Sequence, residues 1–309
     1  MESKSPIMDK PLNINFLNEN IIKEWFRLGG GGLVPLALGL IAGKFFQKEI
    51  IYIPQSNGKS LTFNPHGFKD PSQRGMKYRD INVKAKDGIT LHNWLVLHPD
   101  QSTKRPTVIL FFGNAGNMGW RLPYAENYLK TNCNVVLTSY RGYGNSGGTP
   151  SQVKMEADTV ALFAVIAAQP EVDGKKIFVH GRSLGGAVGA YMATQVPLAG
   201  LILENTFTSI PEVGDNLFFP VASKFQEHIM TEFWPTINRI DKIKCPIFFI
   251  SATADKLIPP FMMQALYDKA TSKKKMYKIV GGDHNGAWSM DEGKYAAVIK
   301  EFIGETVGI

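Results

Sequence analysis

The stretch Ile177–Ala190, which reads IFVHGRSLGGAVGA, constrains the fold of this chain more than any other. Its first four residues, Ile177–His180, are rich in β-branched and aromatic side chains, which predicts a short buried strand. A run of small residues from Gly186 onward predicts a closely packed helix. Between them lies Gly181-Arg182-Ser183-Leu184-Gly185, a G-x-S-x-G motif in the strand–turn–helix context that gives the motif its meaning. This context predicts that Ser183 stands at the tip of a sharp turn.

The composition of this turn has a steric cause and a chemical consequence. The strand and helix backbones nearly touch, so the positions two residues before and two residues after Ser183 favour residues without a Cβ atom. The strained turn pushes Ser183 Oγ away from the sheet, and the helix N-terminus places unpaired N–H groups and partial positive charge beside it. We therefore predict that Ser183 is a nucleophile.

Alternating strands and helices surround this turn. Two strands, Tyr78–Lys86 and Ile89–His98, form a predicted hairpin closed by Asp87-Gly88. After it, apolar strands are predicted at Thr107–Phe112, Val135–Tyr140, Leu201–Leu203, Ile247–Ser251 and Met276–Val280. Helices are predicted at Trp120–Thr131, Val153–Ala168, Pro260–Ala270 and Lys294–Ile303. This order indicates an α/β fold in which helices cover both faces of a mostly parallel central sheet.

A nucleophilic serine needs a base, and the base needs a carboxylate that orients it. In this class of fold the chain order is serine, acid, histidine, with the last two on loops after strands. His284 follows a late strand and is the predicted base; the alternative is a histidine on a surface loop. Asp255 follows the strand Ile247–Ser251 and is the predicted acid. Asp283 is expected to point elsewhere, and Glu204 is the substitute acid one strand earlier.

The oxyanion that develops on the substrate needs N–H donors that are already in place. One predicted donor is the backbone of Leu184, directly after the nucleophile. The other is expected in the small-residue loop Gly113–Asn117, at Asn114, with Ala115 as second choice. The alternative for this loop is a tight strand-to-helix turn without a catalytic role.

The segment Thr206–Arg239 interrupts the alternation and is rich in large apolar residues, among them Phe207 and Trp234. One interpretation, covering about residues 206–239, is a small helical lid lining an apolar acyl pocket near Ser183. The other is that these residues only cover the sheet edge with one or two helices. The sequence leaves both open.

The N-terminal segment, residues 1–49, contains a candidate membrane anchor at Leu28–Phe46. Leu28–Gly43 carries no charge over 16 residues, slightly short of the ~17–25 residues of a spanning helix. Its glycines and its proline lower helix propensity, although membranes tolerate both. The alternatives are a buried hairpin or docking segment and a targeting segment. We predict a hydrolytic domain over residues 50–309 and single-pass or peripheral attachment to a membrane.

Composition excludes some classes of partner. The net charge of +7 is spread over the chain, and no nucleic-acid-binding motif accompanies the one dense run, Lys273–Lys275, which we place on a surface loop. Cys133 and Cys245 next to strand-like runs suggest buried free thiols, and zinc spacing is absent. We expect no nucleic acid, no metal and no organic cofactor.

Six motifs in order carry a family resemblance: FFGNAGN, SYRGYGNSGGTPS, HGRSLGGAV, LENTFTSI, SATADKLIPP and GGDHNGAW. From about Tyr52 to Ile303 the chain resembles the α/β-hydrolase superfamily, in the branch of alpha/beta hydrolase domain-containing protein 13. The resemblance implies an α/β-hydrolase fold and a catalytic triad of Ser183, Asp255 and His284. It also implies an oxyanion loop at Gly113-Asn114 and one membrane-anchoring segment ahead of the domain.

Two positions depart from the pattern of that branch. Relatives usually have His-Gly-Asn where this chain has Phe112-Gly113-Asn114, and Asp where this chain has Ser139. Neither position belongs to the triad, but loss of the histidine is expected to loosen the oxyanion loop. Ala252 in place of a common glycine is a minor change.

Taken together, these features predict a membrane-associated serine hydrolase of carboxylic esters or thioesters, with lipid-like or S-acylated substrates favoured. The alternative is a non-catalytic or weakly active hydrolase-fold subunit of a larger membrane-associated assembly. An acyltransferase or a peptidase could use the same three residues, and the sequence does not separate them from an esterase.

Overall fold

The computed structural model describes residues 47–55, 59–101, 104–217 and 230–309. The described residues form one eight-stranded sheet. Its strands, numbered along the chain, are β1 (Tyr78–Lys84), β2 (Thr90–Val96), β3 (Thr107–Phe111), β4 (Asn134–Leu137), β5 (Ile177–Arg182), β6 (Gly200–Glu204), β7 (Ile247–Ala252) and β8 (Lys274–Ile279). Their order across the sheet is β1-β2-β4-β3-β5-β6-β7-β8.

The strand directions confirm a mostly parallel sheet that begins antiparallel. The β1–β2 and β2–β4 pairs are antiparallel, and the other pairs are parallel. The predicted hairpin is present, and Gly88 at its turn has a φ of 83°, which favours glycine. Strand β4 ends at Leu137 rather than at Tyr140, so Ser139 and Tyr140 belong to the turn that follows.

After a short helical stretch at residues 47–51, the described residues contain six α-helices. They are α1 (Leu122–Lys130), α2 (Gln152–Ala167), α3 (Leu184–Gln195), α4 (Ile210–Leu217), α5 (Pro260–Lys269) and α6 (Glu292–Val307). Short 3-10 helices lie at Pro71–Arg74, Met118–Arg121, Thr236–Asn238, Ile240–Lys242 and Ala287–Ser289.

Helices cover both faces of the sheet, as the apolar strands predict. Successive residues of a strand point to opposite faces, and in β3 Val108 and Leu110 join one buried cluster while Ile109 and Phe111 join the other. The first cluster contains buried residues of α1 and α6, and the second contains those of α2, α3 and α5. This three-layer arrangement fixes the strand ends from which the site is built.

The predicted surface loop at Lys273–Lys275 is wrong for two of its residues, because Lys274 and Lys275 lie in β8 at the sheet edge. Lys274 Nζ donates to the carbonyls of Tyr267 and Ala270 at 2.6 and 2.7 Å, beside the C-terminus of α5. A cation is favoured there because the last carbonyls of a helix lack backbone partners. An edge strand therefore accommodates a lysine run that suggests a loop.

Two predicted segments lie wholly or partly outside the described residues. Residues 28–46, the candidate anchor, are outside them, as are residues 218–229 within the candidate lid. No helix that is described is both long and apolar enough to cross a membrane. The two cysteines are free thiols, and Cys133 is buried while Cys245 is half-buried. Burial raises the pKa of the Cys133 thiol to about 11.

Candidate active site

Four loops at one edge of the sheet carry the predicted site residues. Gly113 follows β3, Ser183 follows β5, Asp255 follows β7 and His284 follows β8. These strands are parallel, so their carboxyl ends meet at the same edge. Ligands of α/β sheets bind at this edge.

Ser183 occupies a strained turn between β5 and α3. It has a φ of 54° and a ψ of −123°, a region that residues with a Cβ rarely adopt. Its backbone is held on both sides: Ser183 N–H donates to Glu204 O at 3.0 Å, and Thr206 Oγ1 donates to Ser183 O at 2.7 Å. These bonds fix the turn in the conformation that the G-x-S-x-G motif predicts.

The glycines around Ser183 permit contact between backbones. A Cβ built on Gly181 would lie 2.2 Å from Gly185 O, and one on Gly185 would lie 2.1 Å from Phe111 O. Gly186 packs against Thr206, where a Cβ would lie 2.4 Å from the side chain. The strand, the helix and the end of β3 can approach only because these positions lack side chains.

The Gly113–Asn114 loop lies against the serine. A Cβ built on Gly113 would lie 3.6 Å from Ser183 Cβ and 3.9 Å from Ser183 Oγ. Leu184 is the first residue of α3, and the first N–H groups of a helix have no partner within it. The two predicted donor positions, Asn114 and Leu184, therefore flank the serine from different elements.

Asp255 and His284 form a buried pair. Asp255 Oδ2 lies 2.6 Å from His284 Nδ1. The other oxygen, Asp255 Oδ1, accepts from the backbone N–H groups of Leu257 and Ile258 at 2.9 and 2.8 Å. These three partners fix the direction of the Asp255 carboxylate. Because His284 Nδ1 faces Asp255, Nε2 is the ring nitrogen that is available to a substrate or to serine.

Arg182, the residue before the nucleophile, connects the serine turn to the histidine loop. Its Nη2 donates to the backbone carbonyl of His284 and to Asn285 Oδ1, the latter at 2.8 Å. The structure thus joins Ser183 and His284 through one side chain. The sequence does not predict this role, because the second position of G-x-S-x-G is variable and the bond spans 102 positions of the chain.

Within the described residues, the side chains of the other two candidate acids, Asp283 and Glu204, bind groups other than His284. Asp283 Oδ1 accepts from the N–H groups of Asn285 and Gly286 at 3.1 and 2.6 Å, so it turns away as predicted. Glu204 is buried and lies 3.0 Å from His180 Nε2, with Tyr295 Oη donating to it at 2.6 Å. The substitute acid is therefore engaged in a separate network beneath the serine turn.

The charge of Glu204 is stabilised within that network. Burial by itself raises the pKa of a carboxyl group. Here the close approach of His180 Nε2, at 3.0 Å, and the charge of Arg182 outweigh burial, so the pKa of Glu204 lies below its ordinary value. The network links β5, β6 and α6 directly under the site.

The two residues that depart from the branch pattern are both buried. The Phe112 ring lies edge-on to Tyr124, with centroids 5.4 Å apart, and the Arg121 guanidinium lies 5.1 Å from the Phe112 ring centroid. Ser139 Oγ donates to Tyr143 O at 2.7 Å. Ser139 also borders a cavity of about 20 Å³, which has room for one water molecule. Both side chains are integrated into the packing.

No group of three or more metal-ligating side chains occurs in the part of the chain that the structure describes.

A mostly parallel sheet with a serine at a strand–helix turn and an Asp–His pair at the same edge defines an α/β hydrolase. Residues 102–239 match the family model described as "Serine aminopeptidase, S33". The chain is 35% identical over 285 residues to "Protein bem46" of Schizosaccharomyces pombe, covering 89% of this chain and 92% of that protein. It is 35% identical over 277 residues to "Alpha/beta hydrolase domain-containing protein WAV2" of Arabidopsis thaliana, covering 84% and 87%.

A third relative, from Saccharomyces cerevisiae, is described as an uncharacterized membrane protein and is 30% identical over 282 residues, covering 89% and 95%. Among solved structures, the Pyrococcus furiosus esterase Pf2001 superposes with a TM-score of 0.65 at 20% identity, covering 81% of this chain and 99% of that one. The chain belongs to the α/β-hydrolase superfamily, and this membership marks it as a hydrolase.

Proposed function

We propose that this protein is a membrane-associated serine hydrolase that cleaves carboxylic esters or thioesters through an acyl-enzyme. The observation that carries the proposal is the buried Asp255–His284 pair, tied through Arg182 to the strained turn that bears Ser183. The three residues follow the chain order of this fold class, and each lies on a loop after a strand of the sheet.

In the proposed reaction, Ser183 Oγ attacks the substrate carbonyl while His284 Nε2 takes the serine proton. Asp255 Oδ2 accepts from His284 Nδ1–H, which holds the tautomer and stabilises the imidazolium. The N–H groups of Asn114 and Leu184 bind the oxyanion. The imidazolium then gives its proton to the leaving group, and water activated by His284 releases the acyl group.

The charges around the site favour an ester over the substrate of an aminopeptidase. An aminopeptidase must accommodate the ammonium group of its substrate. Arg121 bonds to the Gly113–Asn114 loop through Ala115 O, and Arg182 adjoins Ser183. Burial and the charge of Arg182 lower the pKa of Arg121 to about 10, which leaves it cationic at neutral pH. Arg182 is paired with Glu204, with Nε and Oε1 3.7 Å apart, so Arg121 is the cation that disfavours an ammonium group beside the oxyanion loop.

A lipid-like substrate is supported by the apolar segment 28–46 and by the apolar insertion. At the described ends of that insertion Phe207 and Trp234 are buried in the core, so they serve as cover. The expected preference for long acyl chains therefore rests on the apolar composition of the insertion and on attachment to a membrane. The description of the yeast relative as a membrane protein supports that attachment.

Ester chain length and bond type test the proposed activity. We expect p-nitrophenyl octanoate and an octanoyl thioester to be hydrolysed faster than p-nitrophenyl acetate and far faster than leucine p-nitroanilide. An initial burst should equal the amount of active protein, and Ser183→Ala should abolish turnover. A preference for the anilide would contradict the ester assignment. Absence of turnover by folded protein, with and without detergent, would favour the non-catalytic subunit.

Alkaline carbonate extraction tests the proposed attachment. A single-pass protein stays in the membrane pellet, and a peripheral one is released. Charges placed in the apolar run, Leu38→Lys with Ile41→Lys, should move the protein to the soluble fraction because a buried lysine is costly in a bilayer. The matched control places the same charges outside the run, Ile14→Lys with Leu17→Lys. Wild-type protein that is already soluble before carbonate treatment would refute attachment without affecting the hydrolase assignment.

A further inference from the structure

The backbone carbonyls of the oxyanion loop are held by three side chains. Phe112 O accepts from Tyr140 Oη at 2.7 Å, Asn114 O accepts from Tyr143 Oη at 2.8 Å, and Ala115 O accepts from Arg121 Nη2 at 2.6 Å. We call Tyr140, Tyr143 and Arg121 the carbonyl clamp.

The clamp holds the peptide groups on both sides of the Gly113–Asn114 peptide, whose N–H is the proposed oxyanion donor. The N–H of Asn114 belongs to the planar peptide between Gly113 and Asn114. The preceding peptide is held through Phe112 O, and the two that follow are held through Asn114 O and Ala115 O. With its neighbours fixed, the Gly113–Asn114 peptide cannot drift. Its N–H keeps one direction relative to Ser183, which packs against Gly113.

The chain also holds the loop from its N-terminal side. Ile53 N–H donates to Asn114 O at 2.8 Å, and Gly116 N–H donates to Ile53 O at 3.0 Å. The carbonyl of Asn114 thus has two donors, and the N–H of Gly116 is already used. The Gly116 N–H is therefore not available as an oxyanion donor, and the direction of the Asn114 carbonyl is fixed.

Both tyrosines come from a turn in the SYRGYGNSGGTPS motif, and this turn has no other role in the proposed reaction. Arg141 in this turn is buried and forms two 2.7 Å hydrogen bonds to Asp158 and one of 2.9 Å to Asp87. Tyr143 N–H donates to Tyr140 O at 3.0 Å. The tyrosines are therefore presented by a turn that is itself rigid.

The tyrosine hydroxyls are suited to act as permanent donors. Burial raises the pKa of both Tyr140 and Tyr143 well above the ordinary value. Both stay protonated through the range in which an esterase would operate. Phe112 O would lose this donor in Tyr140→Phe, which favours a rotated loop, whereas Asn114 O would keep the Ile53 N–H after Tyr143→Phe and lose only its second donor.

We propose that Tyr140, Tyr143 and Arg121 are positioning residues for the reaction: they keep the Asn114 N–H aimed at the developing oxyanion. The inference rests on the proposed function. It also explains how the loop stays ordered with Phe112 before Gly113, because the carbonyl of Phe112 is bound by Tyr140 and its ring lies under Arg121.

The test removes one hydroxyl at a time. Tyr143→Phe and Tyr140→Phe each delete a clamp donor, and Tyr124→Phe is the matched control. Tyr124 packs on Phe112, but its buried hydroxyl has no hydrogen-bond partner among the described residues. A single oxyanion donor is worth roughly 10²–10³ in kcat, and we expect partial misalignment to cost about tenfold. KM should change less than about threefold, and Tyr124→Phe should keep kcat within about twofold.

Inhibition by a trifluoromethyl ketone distinguishes misplacement of the Asn114 N–H from a general loosening of the protein. The ketone forms a hemiketal with Ser183, and the oxyanion of this hemiketal lies where the oxyanion of the transition state develops. The inhibition constant for Tyr143→Phe should rise by the same factor by which kcat/KM falls. Arg121→Gln, which keeps an N–H donor, should lose less than Arg121→Leu. All rates are divided by the concentration of active sites, which the size of the burst gives. They are measured below the unfolding temperature of each variant, so that partial unfolding is not mistaken for a loss of kcat.

Three outcomes would overturn the clamp: an unchanged kcat in both tyrosine variants, an effect confined to KM, or an equal loss in Tyr124→Phe. Each of these presupposes active wild-type protein. If wild type neither hydrolyses esters nor shows a burst, the proposed function fails and the clamp fails with it. If wild type is active and the variants equal it, the clamp alone is refuted.

Discussion

At the scale of the residue, the site depends on one carboxylate having a fixed direction. Asp255 has three hydrogen-bond partners, of which His284 is one and two are backbone N–H groups. An Asp–His pair of this kind orients the imidazole rather than exchanging a proton with it. The neighbouring Asp283 has a different task, since it accepts from N–H groups of its own turn.

Replacing Asp255 with asparagine should abolish most activity while the fold persists. With the asparagine oxygen bound to the N–H groups of Leu257 and Ile258, its NH₂ group faces His284 Nδ1, donates to it and favours the wrong tautomer. This change costs ~10⁴ in kcat in the analogous triad. Steady-state ester hydrolysis measures this loss. Asp283→Asn is the matched control, because an asparagine oxygen can still accept in its turn, and it should keep activity within about threefold. Equal losses in the two variants would contradict the assignment of the acid.

At the scale of the element, the site depends on three backbones meeting without side chains between them. The end of β3, the serine turn and the start of α3 touch at Gly181 and Gly185. Helix α3 continues this packing with small residues, and Leu184 through Ala190 are all buried. A change in this packing reaches the oxyanion loop, because β3 leads directly into it.

Gly185→Ala should destabilise the protein and reduce activity together. The added methyl group would lie 2.1 Å from Phe111 O, and relieving such overpacking typically costs ~1–3 kcal/mol of unfolding free energy. Gly293→Ala in α6 is the control, since its nearest neighbour is Asp291 Oδ1 at 3.7 Å; alanine should be neutral or stabilise by up to about 1 kcal/mol. Urea denaturation measures both, and a neutral Gly185→Ala would show that the contact can relax.

At the scale of the whole molecule, buried charges beneath the site join separate elements. Glu204 at the end of β6 contacts His180 of β5 and Tyr295 of α6, and Tyr128 Oη of α1 lies 2.8 Å from His180 Nδ1. The carbonyl of the same Glu204 accepts from Ser183 N–H. This network holds the serine turn in place and contributes to the stability of the fold.

The pH dependence of stability tests that network. Because the pKa of Glu204 is lowered on folding from an ordinary value near 4.5, its ionised form stabilises the native state. The contribution is complete above the unfolded pKa and is lost as the pH falls through the folded pKa. Removing one partner of a buried pair costs ~3–5 kcal/mol. Glu204→Gln should therefore lower the unfolding free energy at about pH 7, with the gap to wild type shrinking below about pH 4.

Urea titrations at several pH values measure this gap. Glu305→Gln is the control, because Glu305 pairs with Lys275 at the exposed edge of the sheet and both side chains are about 40% exposed. It should differ little from wild type at any of these pH values, as exposed ion pairs contribute little. A gap for Glu204→Gln that stayed constant with pH would refute the ionised network.

The sequence predicts the parts of this architecture that depend on local order. The hairpin at Asp87-Gly88, the β5–turn–α3 unit and the positions of Asp255 and His284 after strands are visible in spacing and residue type. The bond from Arg182 to the His284 carbonyl joins residues 102 positions apart and leaves no such signal. The sequence does not predict the role of Tyr140 for the same reason. The lysines of β8 are typical of a loop in sequence, but an edge strand also tolerates charge.

The central claim is that Ser183 is an activated nucleophile, and labelling by a fluorophosphonate tests it most directly, because the probe requires no knowledge of the substrate. Intact-mass measurement of full-length protein in detergent should show one phosphonyl group on wild type and none on Ser183→Ala. Asp255→Asn should label much more slowly. Folded wild type that stays unlabelled, or a Ser183→Ala variant that labels as fast as wild type, would contradict the account.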